Sequence, residues 1–382
     1  MARRLSTRPL LGHLPVVLAF SFAWLQGVLL SQAPGLQQLS SGKEIFEAAC
    51  VACHGHDGRG MPQSTVAFEP PPTFPDFTDC SATTREADAD WSAIIHNGGP
   101  MRGFSQIMPS FRDALSSAQI NKVIQHLRTF CAERSWPPGE LNLPRPLITE
   151  KAFPEDEWVL STSVNTRGNP GFTSTFVYEK RFGVRNQIEI RTPFSFQRPA
   201  PQTWYGGVGD IDLGFKRVLA SSKRTGSIVT LMGEALLPTG NTARGLGNGV
   251  TIFETFATYA QLLPKNSFLQ FQGGAELPAH KDDASKAVFW RTAIGTSLAG
   301  ENGFGRLWSP MVEVLADREL GAGKKTNWDL VPQLQVTLNK RQHIRASIGF
   351  RFPVNNTLGR STALVFYLLW DFFDGGLLDG WK

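Results

Sequence analysis

Two cysteines and a histidine stand together at Cys50-Val51-Ala52-Cys53-His54, a C-x-x-C-H array. Thiols at this spacing can each reach a vinyl group on the same porphyrin edge, and the adjacent imidazole then falls beneath the iron. The array therefore points to one covalently attached haem c, with Cys50 and Cys53 as its anchors and His54 as an axial ligand. Two other uses of paired thiols fit less well. A thioredoxin-type dithiol needs no following histidine and normally sits in a βαβ context, which is missing here. A structural zinc site wants a second close pair, whereas Cys80 and Cys131 stand far apart.

An iron held this way has a second axial position, for which Met101, Met108, His56, His96 and His126 are candidates. Met108 lies in Ile107-Met108-Pro109-Ser110-Phe111, where a proline fixes the chain beside the thioether. Such a loop can reach the open haem face without distorting a helix. Met101, after Gly98-Gly99-Pro100, is its rival. His126 reads as a packed residue of a helix, and His96 as a helix-end residue before Asn97-Gly98-Gly99. His56 is too close to His54 to cross the porphyrin plane. The residues favour Met108 and leave Met101, a histidine or an open position as alternatives.

The elements that must position these groups are helical. Residues 42–49 read as a short helix with Ile45, Phe46 and Ala49 sharing a face, and it delivers the cysteines at its end. Gly55, Gly58 and Gly60 then supply a turn needing backbone freedom. A second helix starts near Leu115, capped by Ser116, with Ile120, Val123, Ile124, Leu127 and Phe130 on one stripe. Two helices over a haem make a compact domain of residues 39–131.

Several further features accompany the haem motif: Gly42-Lys43, Phe46, Gly55, the Pro70-Pro71-Pro72 and Asp76-Phe77 stretch, Gly98-Gly99-Pro100, and Met108-Pro109-Ser110-Phe111 before a closing helix. On these, residues 39–131 resemble a class I cytochrome c. The resemblance implies a small all-α fold, His54 and Met108 as axial ligands of the iron, and reversible one-electron transfer; His/Met ligation favours reduced iron. Cys80 and Cys131 depart from the family pattern. In an oxidising compartment they could pair and tie the central loop to the last helix, although their spacing alone does not show that they meet.

That compartment is suggested by the first 33 residues. Arg3, Arg4 and Arg8 precede an apolar run from about Leu14 to Leu30, and Ser31-Gln32-Ala33 offers the small residues of a signal-peptide cleavage site. Pro34 fits cleavage poorly, so the cut stays open and an uncleaved anchor is the alternative. The formal charge of +5 is too small to argue for nucleic acid, and no arginine-rich tract supports one.

Residues 132–150 read as a stiff proline-rich linker, through Trp136-Pro137-Pro138-Gly139 to Pro144-Arg145-Pro146. Beyond it the texture changes to period-two alternation over residues 151–382. Ile344, Ala346, Ile348, Phe350 and Phe352 face one way, and His343, Arg345, Ser347, Gly349 and Arg351 the other. Segments at Ile188–Phe196 and Ile211–Phe215 alternate likewise. About twelve such segments occur, long and roughly even in number, as a membrane barrel requires; a soluble sandwich is the alternative. Charged residues recur on one face, as a wet lumen would have them. Short connections are expected at Phe182–Asn186, Ser221–Gly226, Pro264–Ser267 and Asn339–Gln342, and longer ones at Gln197–Gly207, Pro238–Gly249 and Pro278–Lys286. With short turns periplasmic, both ends of the barrel and the haem would be periplasmic as well. The expected fold class is a two-domain α + β chain, a small all-α cytochrome followed by an antiparallel β-barrel.

Gly207-Val208-Gly209-Asp210-Ile211-Asp212-Leu213-Gly214-Phe215-Lys216 and Glu234-Ala235-Leu236-Leu237-Pro238-Thr239-Gly240 resemble one hairpin of the outer-membrane barrels assigned to meta-pathway phenol degradation. The overall arrangement is similar to the fused monohaem cytochrome–porin proteins of iron-oxidising bacteria, which have larger barrels and shorter haem segments. The leading expectation is one-electron transfer at the outer membrane, with periplasmic electron carriers or other cytochromes and outer-membrane lipid as partners. The alternatives are a solute channel with a haem plug or sensor, and a secreted redox enzyme. Residues 150–382 contain no nucleophile elbow, zinc motif or phosphate loop. Glu189, Asp210, Asp212, Glu234, Arg345 and Arg351 read as solvated lumen charges.

Overall fold

The computed structural model describes residues 35–62, 65–71, 74–133, 135–200, 203–280, 284–300, 304–372 and 378. The expected export signal lies outside them. Helices come first: α1 (Gly42–Ala49), α2 (Val51–His54), α3 (Cys80–Thr83), α4 (Asp88–Asn97) and α5 (Ser117–Leu127). Strand segments follow: β1 (Glu157–Arg167), β2 (Gly171–Phe182), β3 (Asn186–Ala200), β4 (Thr203–Val208), β5 (Ile211–Ser222), β6 (Ser227–Leu237) and β7 (Ile252–Leu263). The rest are β8 (Ser267–Pro278), β9 (Ala287–Thr296), β10 (Leu298–Ala299), β11 (Leu307–Glu319), β12 (Asn327–Thr337), β13 (Ile344–Pro353) and β14 (Thr362–Asp371). Among the described residues no helix is long and apolar enough to cross a membrane.

Reciprocal capping boxes start α1, through Ser41 and Glu44, and α5, through Ser116 and Gln119. The two helices cross closely: a Cβ on Gly42 would lie 1.9 Å from the Lys122 carbonyl oxygen, so only glycine fits there. Ile45 and Phe46 of α1 and Ile120, Val123, Ile124 and Leu127 of α5 then join Trp91 and Ile95 of α4 in one buried core. The helix α4 adds a third wall to the two expected. Cys80 and Cys131 form a disulfide that ties α3 to the chain just beyond α5.

The fourteen strand segments make twelve staves, because β4 and β5 together oppose β3, and β9 and β10 together oppose β11. Every neighbouring pair is antiparallel, and β1 pairs with β14, so the barrel is closed. Its sidedness is the reverse of a soluble sandwich. Leu160, Phe176, Ile190, Leu213, Leu231, Ile294, Ile348 and Leu368 are exposed, whereas Glu179, Gln187, Lys216, Thr230, Gln270 and Glu313 are buried inside. Apolar side chains facing out and polar ones facing in are what a hydrocarbon solvent selects. On β2 this outer band runs from Phe172 to Phe182, roughly 34 Å of strand and about 26 Å along the axis at ~40° tilt. Aromatics mark both rims. Trp158, Trp370 and Tyr178 cluster at one. At the other, Phe196 stacks on Trp204 with ring centres 4.9 Å apart.

The end of the barrel where the chain enters, called the near end here, carries the turns 183–185, 223–226, 264–266 and 338–343. The far end carries 238–251, 279–286, 320–326 and 354–361. One expected loop is not a loop. Across Gln197–Gly207 the hairpin continues, β3 reaching Ala200 and β4 starting at Thr203. Phe196 supports this by covering Gly206, where a Cβ would meet its ring at 2.9 Å.

The proline-rich segment is the largest departure from expectation, since it enters the barrel instead of spacing the domains apart. Leu141, Leu143, Ala152 and Phe153 pack against Val218, Ile228, Ala260, Phe268 and Met311, which face inward from β5, β6, β7, β8 and β11. Leu147 joins a buried cluster with Val159, Val177, Val331, Val365 and Leu369 from β1, β2, β12 and β14. Buried backbone N–H groups need acceptors, and inward amides and carboxylates accept from those of this segment. Arg145 donates to Gln335 (2.9 Å), Leu147 to Gln333 (3.0 Å), Thr149 to Glu313 (2.6 Å), Glu150 to Gln272 (3.0 Å) and Glu155 to Gln187 (2.6 Å). Charges are matched as well. The Arg145 guanidinium reaches Glu157 at 2.6 Å and Glu179 at 2.8 Å, and the Glu150 carboxylate takes Lys216 at 2.7 Å and Arg191 at 2.9 Å.

The lumen charges are therefore not simply solvated. Glu189 and Glu234 are buried beside Arg191. Arg351 binds Asp329 at 2.6 Å, and the Arg345 Nε donates to the Gln342 carbonyl at 2.9 Å. Asp210 holds a far-end loop by accepting from the backbone of Gly240 (2.9 Å) and Asn248 (2.7 Å).

Candidate haem site

Helix α1 ends at Cys50, and the chain turns directly into α2, so both thiols and His54 are delivered within two helical turns. Gly55 stops α2 at φ +71°, and a Cβ there would meet the Gly60 carbonyl oxygen at 2.8 Å. The following loop folds back on the motif: the Gly60 N–H donates to the His54 carbonyl at 2.8 Å and the Met61 N–H to that of Cys53 at 3.0 Å.

Cys50, Cys53 and His54 line a cavity of about 770 Å³, within the 300–1,000 Å³ range of cofactor sites. Phe46 of α1, Trp91 and Ile95 of α4, and Val123 and Leu127 of α5 supply apolar walls, joined by Leu115 just before α5. The His54 imidazole stacks on Phe74 with ring centres 5.1 Å apart and lies 5.0 Å from Phe77. Its Nδ1 is buried and has no hydrogen-bond partner among the described residues. Burial pushes its pKa down to about 4, which keeps the ring neutral and its lone pair available to a metal. Burial also pushes the Cys50 thiol up to about 11, with Cys53 adding to the shift. A redox dithiol needs a depressed thiol, and Cys50 is shifted the other way.

Met108 lines the same cavity, and Met101 is not among its lining residues. The Met108 loop is pinned to the end of α4. Gly99 N–H donates to the Met108 carbonyl (3.0 Å), Ser110 Oγ to that of His96 (2.7 Å) and Phe111 N–H to that of Ile95 (3.0 Å). The three candidate histidines stand apart from the cavity. His126 packs edge-on to Phe46 and Phe130, His96 stacks on Phe304 of the barrel at 4.8 Å, and His56 is exposed. An apolar cavity with two thiols, an imidazole whose Nδ1 is buried and unpaired, and a thioether on its walls fits a haem c.

Among the described residues, two that line the cavity come from outside the helical domain and were not foreseen from the sequence: Arg341 and His343, from the near-end turn between β12 and β13. They reach the cavity because the helical domain docks over the near mouth of the barrel. Glu86 lies 3.1 Å from His343, Arg85 pairs with Asp156, and Lys223 binds Asp88 and Glu140. Arg102 donates to the Phe304 carbonyl at 2.6 Å.

Residues 37–127 match the family model described as cytochrome c oxidase, cbb3-type, subunit III. Among solved structures, the chain is similar to an outer membrane channel from Pseudomonas putida F1, at 11% identity over 60% of this chain and 99% of that one, with a TM-score of 0.43. It is similar to the NanC porin at 7% identity, over 56% and 98% of the chains, with a TM-score of 0.41. No curated protein matches the chain. The molecule is a cytochrome c domain fused to a closed twelve-stranded barrel of the outer-membrane type.

Proposed function

We propose that the chain is a monohaem c-type cytochrome of the outer membrane, passing single electrons at the periplasmic mouth of its own plugged barrel. The observation that carries this reading is the cavity shared by Cys50, Cys53, His54 and Met108. Cys50 and Cys53 would hold the porphyrin by thioether bonds, and His54 and Met108 would ligate its iron. A haem held there supplies reversible one-electron chemistry at its iron. The aromatic and aliphatic walls exclude water, and the hydrogen bonds of the Met108 loop hold the thioether at the cavity wall. The four cysteines of the chain fall into the motif pair and the disulfide, which supports a single covalent haem. The barrel anchors the domain in outer-membrane lipid, with the short-turn end facing the periplasm and its carriers. Residues 141–153 argue against a free solute channel, because they fill the lumen. Acid–acetone extraction of purified protein tests the reading. The haem should stay with the polypeptide and give a c-type reduced spectrum, and Cys50→Ala/Cys53→Ala should lose it; haem extracted freely from the wild type would refute the proposal.

A further inference from the structure

The cytochrome domain does not enclose its cavity alone. Arg341 and His343 of the β12–β13 turn form part of the wall, and both are buried, at 8% and 7% exposure. The Arg341 guanidinium lies 4.5 Å over the ring of Phe104, which is itself part of the wall. Arg102 approaches the same junction from the helical side. It is 4% exposed, binds Asp90 at 2.9 Å and lines the cavity too.

Haem chemistry relates these cations to the motif. Thioether bonds to Cys50 and Cys53 fix the edge that carries the two vinyl groups, so the two propionate carboxylates leave from the other side of the ring. Burying a carboxylate without a cation or donors is strongly unfavourable. Among the described residues lining the cavity, Arg102 and Arg341 are the arginines and no lysine takes part. Asp90 already draws on Arg102. An arginine fork suits a carboxylate in geometry as well as charge.

Resting on the haem reading above, we propose that Arg341 of the barrel turn binds a haem propionate together with Arg102. The cofactor site is then complete only when the helical domain is docked on the barrel. A cation so placed raises the energy of ferric iron relative to ferrous, because the ferric site carries one more positive charge.

Redox titration of the full-length protein tests this. Arg341→Gln should shift the reduction equilibrium at least tenfold towards the ferric form, a fall of about 59 mV for one electron. Arg341→Lys should keep most of the wild-type potential. Arg224→Gln, on the 223–226 turn outside the cavity, should leave it unchanged. Covalent haem with an unmoved potential in Arg341→Gln overturns this proposal alone, and a wild type without covalent haem overturns the proposed function with it. Should Arg341→Gln fail to fold, resonance Raman spectra of the wild type and Arg341→Lys decide. Propionate-bending bands that differ support the contact, and identical bands overturn it.

Discussion

Met101 and Met108 belong to one stretch of chain, yet they are held differently. Met101 lies in the 3-10 turn Gly99–Arg102, whereas Met108 lies where three hydrogen bonds fix the loop against α4. Met108→Ala should therefore abolish the weak sulfur-to-iron absorption and lower the reduction potential, since a thioether favours ferrous iron. Met101→Ala should change neither, and spectra with potentiometry of both variants check it; the reverse pattern would assign the ligand to Met101. The thiols, His54 and the Met108 loop were legible because each sits in a short local pattern with its own chemistry. Arg341 and His343 were not, since no pattern within their turn refers to a cavity formed by residues 46–127. They become site residues through docking, which a sequence does not spell out. The Cys80–Cys131 bond was open from the sequence as a possible pair, and it is the packing of α3 beside the end of α5 that brings the two cysteines together.

Elements with a strong period or a cap were readable, and those lacking both were not. The helices α1 and α5 carry capping boxes and one apolar face each, but the N-cap of α4 is Ala87, whose side chain cannot cap, so little marks its beginning. The plug was read as a linker because its prolines suggest stiffness. Its spaced Leu141, Leu143, Leu147 and Phe153 gain meaning only once a lumen surrounds them. The contact between helical domain and barrel depends on charge, and its pH response follows. Burial opposes ionisation of Asp88, but Lys223 and Arg128 outweigh it and hold the carboxyl below its usual value. Burial likewise works against the Lys223 ammonium, and bonds to Asp88 and Glu140 raise its pKa above the ordinary value all the same. A depressed acid contributes above its ordinary pKa of about 3.9 and loses that contribution as pH falls through the lowered value. A raised lysine contributes below about 10.4 and loses its share only as pH climbs through the higher value. The Asp88–Lys223 pair should accordingly hold across the neutral range and loosen docking below about pH 4. Proteolysis of residues 132–138, measured against pH, reads this out. Lys223→Gln should flatten the acid limb, and an unchanged limb would place the sensitive pair elsewhere.

At the scale of the whole molecule the question is what can cross the barrel. The plug touches inward residues from staves around the circumference, including β1, β2, β5, β8, β11, β12 and β14. The intact protein should thus conduct ions poorly in a planar bilayer, and replacing residues 141–153 by a Gly/Ser segment of equal length should raise conductance severalfold. Steady large conductance in the wild type would mean that the plug leaves the lumen. Electrons face a different obstacle. The hydrocarbon layer is about 30 Å thick, and the haem cavity lies beyond the near mouth, between the helical domain and the turn 338–343. The sequence carries one attachment motif. Tunnelling weakens steeply with distance, so under the proposed function a single haem at the near rim would exchange electrons with carriers on its own side and would not by itself serve an acceptor beyond the far loops. Liposomes holding only this protein decide the matter. They are prepared with a reductant sealed inside and an insoluble oxidant outside, and insertion of the barrel in one orientation is established by protease protection of the helical domain. The haem should cycle with whichever reagent shares its side, and the sealed reductant should not be consumed across the bilayer faster than in empty liposomes. Its rapid oxidation, with leakage excluded by a trapped dye, would require a conducting path through the plugged lumen and would turn the barrel from an anchor into a conduit.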